Sequence, residues 1–407
     1  MNYSLGNMLG GSNGSLNPDK LSLNLQFATD KTLTARKGPT PTFTRASTAT
    51  FVGSDGLIQS AAINSARFDH DPVTLACRGL LIEESRTNLI LQSEDFGTSW
   101  SAISATVSVN ATTSPNGTVT GDKLIINSGV TTGRISQNTT LTGSHTFSAF
   151  LKASEWSWAF ITPSAAVGGV WFNLSNGTIG TQQAGCVGSI VSYGNGWYRC
   201  SVTLTGTGVL STTRIVPTNA DNTNTAGDGT SGIFAWGAQL EAGSFPTSYI
   251  PTTTASVVRS LDVCSISSIA SFYGSGVGTI FTGTQLNGAS QLNRVCGFFA
   301  GANQVAISRL LNNTRAVTNG NAPNLTINSG TLASTLFVKS AFAFNTNDAA
   351  FANNGVSAGT STSVGIPSVA TFGIGTNGSQ QIQSGTISEI KVFKKRLANA
   401  KLLTITV

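Results

Sequence analysis

Short runs of β-prone residues recur along the middle of the chain, between clusters of turn residues. The runs are rich in Val, Ile, Phe and Trp and lie between about residues 100 and 250. This spacing favours short antiparallel strands joined by tight turns, as in a β-sandwich or jelly roll. The runs span residues 123–126, 146–151, 158–162, 170–174, 197–204 and 232–240.

Side chains that suit turns and strands dominate the composition. Charged residues make up 10% of the chain, which also contains 45 glycines, whereas a soluble protein carries about 25% charged residues. Gly, Ser, Thr and Asn fill the difference, and their hydroxyl and amide groups compete with helical hydrogen bonding. Hydrophobic residues reach 40%, which is enough to build packed cores. The composition therefore predicts an all-β protein.

Strand patterns at both ends of the chain extend this prediction. Apolar residues alternate with polar ones at positions 21–27, which indicates a half-buried strand. Further strands are predicted between residues 260 and 393, with a linker at 246–255 and a short helical turn at 397–403. A chain of 407 residues exceeds one ordinary core. We predict an N-terminal extended or β attachment and connector region at 1–98, followed by jelly-roll-like β-sandwiches at 99–253 and 254–407.

The segment at 67–89 concentrates charge in this charge-poor chain and is either an active site or a buried polar network. On an extended strand Asp69 and Asp71 share one face while His70 points to the other, which excludes a local Asp-His-Asp site. Two carboxylates side by side on a strand cannot flank a sugar ring from opposite sides. We predict no catalytic residue but a structural charge network, because buried charges need partners. Its members are Arg67, Asp69, Asp71, Arg78, Glu83, Glu84 and Arg86.

No metal or cofactor site is predicted from the motifs. The chain lacks zinc-ligand spacing, a Walker loop and a GxGxxG that opens a helix. It has two histidines and no GxSxG elbow, which argues against a serine hydrolase. One Asp- and Asn-rich loop offers oxygen ligands, and calcium stays an alternative there, although such loops are usually turns. The loop residues are Asp221, Asn222, Asn224, Gly227 and Asp228.

Cysteine and charge usage bear on compartment and partners. The five cysteines are an odd number and form no CxxC, which fits a reducing folding compartment. The first residues lack the pattern of a signal peptide, and no apolar run approaches the about 18 residues of a membrane span, so no membrane insertion is expected. The net charge is +6, but the basic residues are scattered. We therefore expect no nucleic-acid binding.

Tryptophans concentrate in the predicted central domain and are the best candidates for a ligand site. Sugar faces stack on exposed indole rings, although a tryptophan more often fills a core, where it buries about 150–250 Å². Trp156 and Trp158 are two residues apart and share one face if this segment is extended. Trp197 and Trp236 lie within apolar runs and are predicted to be core residues. The candidates for glycan binding are Trp156, Trp158 and Trp171.

Several segments resemble motifs of bacteriophage virion proteins, namely tail, head or neck fibres and related appendages. Segments 43–61, 67–90 and 92–96 are similar to a recurring junction motif. Segments 194–204 and 236–253 resemble strands of a carbohydrate-binding-module-like jelly roll, here assigned to 99–253. Segments 337–356 and 385–405 resemble the end of a concanavalin- or laminin-G-like sandwich, here assigned to 254–407. The chain departs from the pattern at Cys77, where proline is common, and at Lys394 and Lys395.

The resemblance implies a structural virion fibre or appendage, not an enzyme, that contributes to host-surface glycan recognition or adsorption. It implies assembly in the host bacterial cytoplasm and contact with other virion proteins, such as portal, neck, tail or capsid proteins. Such appendages are commonly homotrimers, so we expect a homo-oligomer attached to the particle through residues 1–98. The alternatives are a polysaccharide-depolymerase tailspike and a capsid decoration protein with lectin-like domains.

Overall fold

A computed structural model of the chain describes residues 21–140, 143–204, 212–286, 293–310, 313–332, 337–376 and 384–407. Within these ranges the chain forms 31 β-strands and two short α-helices, and the paired strands run antiparallel, as in Leu23 opposite Val392. The predicted all-β fold is confirmed. Neither of the helices in these ranges has the length and apolar character that a membrane crossing requires.

Residues 21–88 contribute seven strands and a single helical turn. Leu23 and Leu25 are buried, whereas Ser22 before them and Asn24 between them are only half-buried. The alternation of apolar and polar residues in the sequence therefore does mark a strand. The elements are β1 (Leu21–Leu25), α1 (Phe27–Asp30), β2 (Thr42–Thr44), β3 (Ala49–Val52), β4 (Ile58–Ala61), β5 (Arg67–His70), β6 (Cys77–Ile82) and β7 (Arg86–Asn88).

Residues 101–242 form the central sandwich, in which two six-stranded sheets enclose one apolar core. The strands are β8 (Ser101–Ile103), β9 (Ala105–Thr112), β10 (Gly121–Ile126), β11 (Arg134–Gln137), β12 (His145–Ala153), β13 (Trp158–Ser164), β14 (Gly168–Asn173), β15 (Thr178–Gln182), β16 (Cys186–Ser192), β17 (Trp197–Leu204), β18 (Thr213–Thr218) and β19 (Gly232–Ala242). One sheet has the order β16-β17-β12-β19-β10-β9, and the other has the order β15-β14-β13-β18-β11-β8.

The remaining strands, apart from β20, complete a second sandwich. They are β20 (Val257–Arg259), β21 (Val263–Ile266), β22 (Gly278–Leu286), β23 (Asn293–Ala300), β24 (Asn303–Leu310), β25 (Asn313–Asn319), β26 (Leu325–Asn328), β27 (Val338–Asn345), β28 (Asp348–Asn353), β29 (Val356–Ser361), β30 (Thr371–Ile374) and β31 (Gly385–Phe393). The helix α2 (Asn399–Ile405) follows them, close to the predicted helical turn.

Strands from both ends of the chain build this second sandwich, which we call the terminal sandwich. Its sheets have the orders β29-β28-β27-β22-β31-β6-β5, with β1 also paired to β31, and β2-β21-β30-β23-β24-β25-β26. Strands β1, β2, β5 and β6 are therefore part of the terminal sandwich, whereas β3 and β4 pair with each other in a separate two-stranded sheet. The prediction of a separate connector region at 1–98 did not foresee these sheet pairings. Periodicity reveals a strand but not its distant partner. The docking role expected of the first residues falls on 1–20, outside the described residues.

The central sandwich is an insertion into the terminal sandwich. Strand β7 leads out of the terminal sandwich and β20 leads back, and the two pair as a short antiparallel ribbon with Thr87 opposite Val258. The predicted boundaries at 98 and 253 both lie in the stretch between β7 and β20. The chain thus connects its two sandwiches through a pair of adjacent strands.

Candidate functional site

A buried cluster of charged side chains lies at the base of the ribbon. The Arg67 guanidinium contacts the carboxylates of Glu83 at 2.8 Å and Asp262 at 2.6 Å. Arg259 contacts Glu83 at 2.6 Å, and Arg45 contacts Asp262 at 3.2 Å. All five side chains are at most 1% exposed, so the cluster presents no open face to a ligand.

Mutual pairing keeps these charges ionised inside the protein. Burial opposes ionisation of Glu83, but the guanidinium groups of Arg259 and Arg67 and hydrogen bonds from Ser248 hold the pKa of Glu83 at about 2. The Ser248 hydroxyl donates to Glu83 at 2.6 Å and accepts from Arg67 and Arg259 at 2.9 Å each. The cluster is a polar joint that ties the ribbon to the terminal sandwich.

Four other members of the predicted network form two separate pairs nearer the surface. Asp71 pairs with Arg78 at 2.7 Å, and their side chains are 28% and 32% exposed. Glu84 pairs with Arg86. The single network predicted from the sequence is therefore divided into separate groups in the fold. Strand alternation could not show this, because it does not reveal which strands lie next to each other.

Three members of the buried cluster were missed in the sequence analysis. Arg259 and Asp262 are the only charged residues between Glu241 and Arg294, and this isolation is a signal that marks them for pairing. Arg45 carries no comparable local signal.

A cavity of about 390 Å³ lies between the two sandwiches and is lined by Asp69. Asp69 accepts the backbone N–H of Val52 at 2.8 Å, and burial raises the pKa of Asp69 to about 6. The His70 ring lies 3.1 Å from the Val52 carbonyl oxygen. The pairing of β5 with β6 is irregular between Asp69 and His70, and the side chains of both residues contact Val52 of β3. Among the described residues that line this cavity, Asp69 is the one carboxylate.

The three tryptophans predicted as glycan candidates lie in different environments. Trp156 is 8% exposed and packs in the core of the central sandwich, which leaves no ring face for a sugar. Trp156 lies before the start of β13. The predicted shared face of Trp156 and Trp158, which required both to lie on one strand, is therefore not formed. Trp158 is half-buried at the first position of β13. Trp171 lies on β14, with its ring centroid 4.3 Å from that of Phe160.

Phe160 and Trp171 form the floor of a depression on the outer face of the central sandwich. Ala159 and Ile161 point into the core, so Phe160 between them points outward. Phe160 opposes Trp171 on one neighbouring strand and Val216 on the other. Phe160 is half-buried, whereas Trp171 is 6% exposed. The indole N–H of Trp171 has no hydrogen-bond partner among the described residues.

Two arginines lie beside these rings. Arg214 of β18 opposes Ser136 on β11 and Thr162 on β13. Arg134 begins β11 two residues before Ser136 and therefore lies on the same face. Arg134 donates a hydrogen bond to the carbonyl oxygen of Thr132 at 3.1 Å. The side chain of Arg214 has neither a hydrogen bond nor an ion pair within the ranges that the structure describes.

The depression has the size and polarity of a small-ligand site. Its volume is about 460 Å³, within the usual range of ligand pockets. Its lining holds the two arginines and no carboxylate, as far as the described residues show. Burial, and next the positive charge of Arg134, lower the pKa of Arg214. The exposed rim supplies hydroxyl and amide groups from Thr131, Thr132, Gln183, Asn222, Thr223 and Asn224.

The loop considered as a calcium site contributes to this rim instead. Asp221 accepts hydrogen bonds from the N–H and hydroxyl of Thr181 at 2.8 and 3.0 Å. Asp228 accepts two from Ser231 at 2.6 Å each, and these lower the pKa of Asp228. The Asp221 carboxylate thus ties the loop to β15, and the Asp228 carboxylate closes a turn. In the described part of the chain, no group of three His, Cys, Asp or Glu residues is placed to hold a metal ion.

No protein-family model matches the chain, and no curated protein sequence matches it either. Solved structures do show similarity. The CBM40 of a Ruminococcus gnavus IT-sialidase, bound to α2,3-sialyllactose, is 12% identical, with a TM-score of 0.29, covering 32% of this chain and 83% of its own. Domain 4 of AbnA, a GH43 arabinanase from Geobacillus stearothermophilus, is 11% identical, with a TM-score of 0.32, covering 41% of this chain and 84% of its own.

A third similar structure is domains LG4-5 of the mouse laminin α1 chain. It is 10% identical, with a TM-score of 0.24, and covers 65% of this chain and 88% of its own. TM-scores at this level are too low to assign a site or a ligand. The all-β fold and the depression follow from the strands and side chains of this chain itself.

Proposed function

We propose that the protein is a non-enzymatic structural component of a phage virion, a fibre or appendage that binds host-surface glycans in the depression of the central sandwich. The virion role is supported by the resemblance of segments 43–61, 67–90 and 236–253 to phage appendage motifs. The glycan role is supported by one observation, the open depression in which aromatic rings meet unpaired donors. Virion partners, homotrimer formation and assembly in the bacterial cytoplasm belong to the same proposal.

The chemistry of the depression suits a sugar. A pyranose has an apolar face that packs on an aromatic ring, and the half-buried Phe160 offers such a ring. The hydroxyl groups around a sugar need donors and acceptors, which the Thr, Asn and Gln side chains of the rim provide. A Cβ at Gly169 would lie 2.3 Å from the carbonyl oxygen of Ile161 and 2.6 Å from the Phe160 ring, so glycine at this position permits the close approach of β14 to β13 beside the ring.

An enzymatic role finds less support in the lining of either cavity. Glycoside hydrolysis generally uses two carboxyl groups on either side of the bond. The depression has no carboxylate and the cavity between the sandwiches has Asp69 alone, counting the described residues. We therefore expect the purified protein to release no reducing ends from bacterial polysaccharides. Release of reducing ends would favour the depolymerase alternative.

A glycan array tests the binding role directly. Purified protein is applied to immobilised bacterial capsular polysaccharides and O-antigens, and the affinity for each positive glycan is measured by biolayer interferometry. We expect Phe160→Ala to weaken binding at least tenfold. Phe337→Ala is the matched control, because Phe337 is 40% exposed and lies in the terminal sandwich. No binding to any glycan, or equal loss in both variants, would contradict the proposal.

The virion role needs its own measurement. Antibodies against the purified protein should label particles at one defined position in electron micrographs, and deletion of the gene should remove an appendage there. Particles that contain none of the protein would refute the virion role while leaving the glycan role intact. A label spread evenly over the capsid would favour the decoration-protein alternative.

A further inference from the structure

We infer that the depression selects acidic glycans, with Arg134 and Arg214 binding an anionic group on the sugar. This inference rests on the proposed glycan function and names the class of ligand. It is carried by two guanidinium groups that share one lining and lack an acidic partner within the described residues.

Arg214 differs from three other arginines near the protein core. Arg67 and Arg259 are balanced by buried carboxylates, and Arg199 donates to the carbonyl of Thr247 and the hydroxyl of Ser148. Arg214 has no such contact with the described residues. The guanidinium of Arg214 is therefore available to a ligand of the depression.

Holding two positive charges close together disfavours the unbound site. Burial and the charge of Arg134 both lower the pKa of Arg214, which shows the direction of the repulsion. A bound anion relieves this repulsion and supplies acceptors to the free guanidinium N–H groups. Guanidinium groups form forked hydrogen bonds with carboxylates and phosphates. The pair is thus arranged to favour an anionic ligand over a neutral one.

The neighbouring side chains point to a sugar rather than to a nucleic acid. Recognition of a nucleic-acid backbone needs a basic stripe that follows successive phosphates, whereas the depression holds two basic residues. The Phe160 ring and the indole N–H of Trp171 lie beside the arginines. Together they match a single acidic residue of a polysaccharide, with its anionic group on the arginines and its ring on the aromatic floor.

The test compares acidic oligosaccharides with neutral counterparts. The array carries uronic-acid, sialylated, pyruvylated and sulfated oligosaccharides, each beside its carboxyl-reduced or desulfated form. We expect acidic members to bind at least tenfold more tightly than their neutral forms, and added NaCl to weaken only the acidic ones. The carboxylated and sulfated arms show which anion is preferred, and competition with inorganic phosphate shows whether a free anion suffices.

Charge-removing variants connect the preference to the two arginines. Arg134→Gln and Arg214→Gln should each reduce the acidic-over-neutral ratio about tenfold, and the double variant should abolish it. Arg36→Gln is the matched control, since Arg36 is an exposed arginine paired with Asp30. Melting temperatures close to the parent value would show that the variants are folded.

The outcomes separate this inference from the proposed function. If acidic and neutral forms bind equally, or if the ratio survives in the double variant, the inference is wrong. In that case a loss of binding in Phe160→Ala would still support the glycan site. If no oligosaccharide binds, both fail. If inorganic phosphate binds alone and no sugar adds affinity, the pair is a simple anion site and the inference is again overturned.

Discussion

Arg67 and Asp262 lie 195 residues apart in the chain, and their side chains meet at 2.6 Å in the protein interior. Asp262 follows the strand that returns from the central sandwich, and Arg67 begins β5 of the terminal sandwich. The contact therefore fixes the returning chain to the sheet it re-enters. Glu83 reinforces it by binding both Arg67 and Arg259.

Removing Asp262 should strongly destabilise the protein. Asp262→Ala leaves Arg45 and Arg67 buried with one carboxylate fewer, and breaking a buried pair costs about 3–5 kcal/mol. The measurement is the free energy of unfolding from urea titration. Asp30→Ala, which breaks the exposed Asp30–Arg36 pair, is the control and should leave stability unchanged. A parent-like midpoint for Asp262→Ala would show that the joint is dispensable.

Arg78→Ala should have a small effect, although the sequence alone places Arg78 in one structural network with Arg67. The Arg78–Asp71 pair is about one-third exposed, and such pairs contribute less than about 1 kcal/mol. The same urea titration measures the change in the free energy of unfolding. A decrease as large as that of Asp262→Ala would mean that the surface pair and the buried cluster act as one network.

Asp69 should make stability fall as the pH rises from about 4 to above 6. Burial raises the pKa of Asp69 from 3.8 to about 6 in the folded protein, so the folded state favours the protonated form and loses stability when Asp69 ionises. At 1.36 kcal/mol per pKa unit, the loss is roughly 2–3 kcal/mol. Asp69→Asn keeps an acceptor for Val52 and should exceed the parent in stability at pH 8, but not at pH 3. If the stability difference between Asp69→Asn and the parent were the same at pH 3 and pH 8, ionisation of Asp69 would not be its cause.

Trp156 and Phe160 should respond to truncation in different ways. Trp156→Ala empties a core position and should cost about 3–5 kcal/mol of unfolding free energy, with any loss of glycan binding following from misfolding. Phe160→Ala should change glycan affinity far more than the unfolding midpoint. Chemical denaturation and interferometry on the same samples separate the two effects. A stable Trp156→Ala variant that is selectively unable to bind would restore Trp156 as a contact residue.

Local features of the fold were predictable from the sequence. The run at 197–204 coincides with β17, and the helical turn predicted at 397–403 lies close to α2. The pairing of β1 with β31 was not predictable, because alternation identifies a strand without naming its partner. For the same reason the insertion of the central sandwich was not predictable from the sequence.

The candidate site was only partly visible in the sequence. Trp171 was identified as a candidate, since tryptophan is rare and suits sugars, and it lines the depression. Arg134 and Arg214 are 80 positions apart and looked like scattered surface charges. They come together because β11 and β18 pair in the sheet with Ser136 opposite Arg214. A site assembled by strand register has no local sequence signature.

Hydrogen–deuterium exchange with a bound acidic glycan tests the central claim most directly. The glycan is the tightest binder from the array, and exchange is compared with and without it on the full chain. We predict that added protection is confined to peptides covering 131–136, 158–162, 168–173, 213–218 and 222–224. Protection confined instead to the cavity around Asp69, or to the terminal sandwich, would contradict the assignment of the depression as the glycan site.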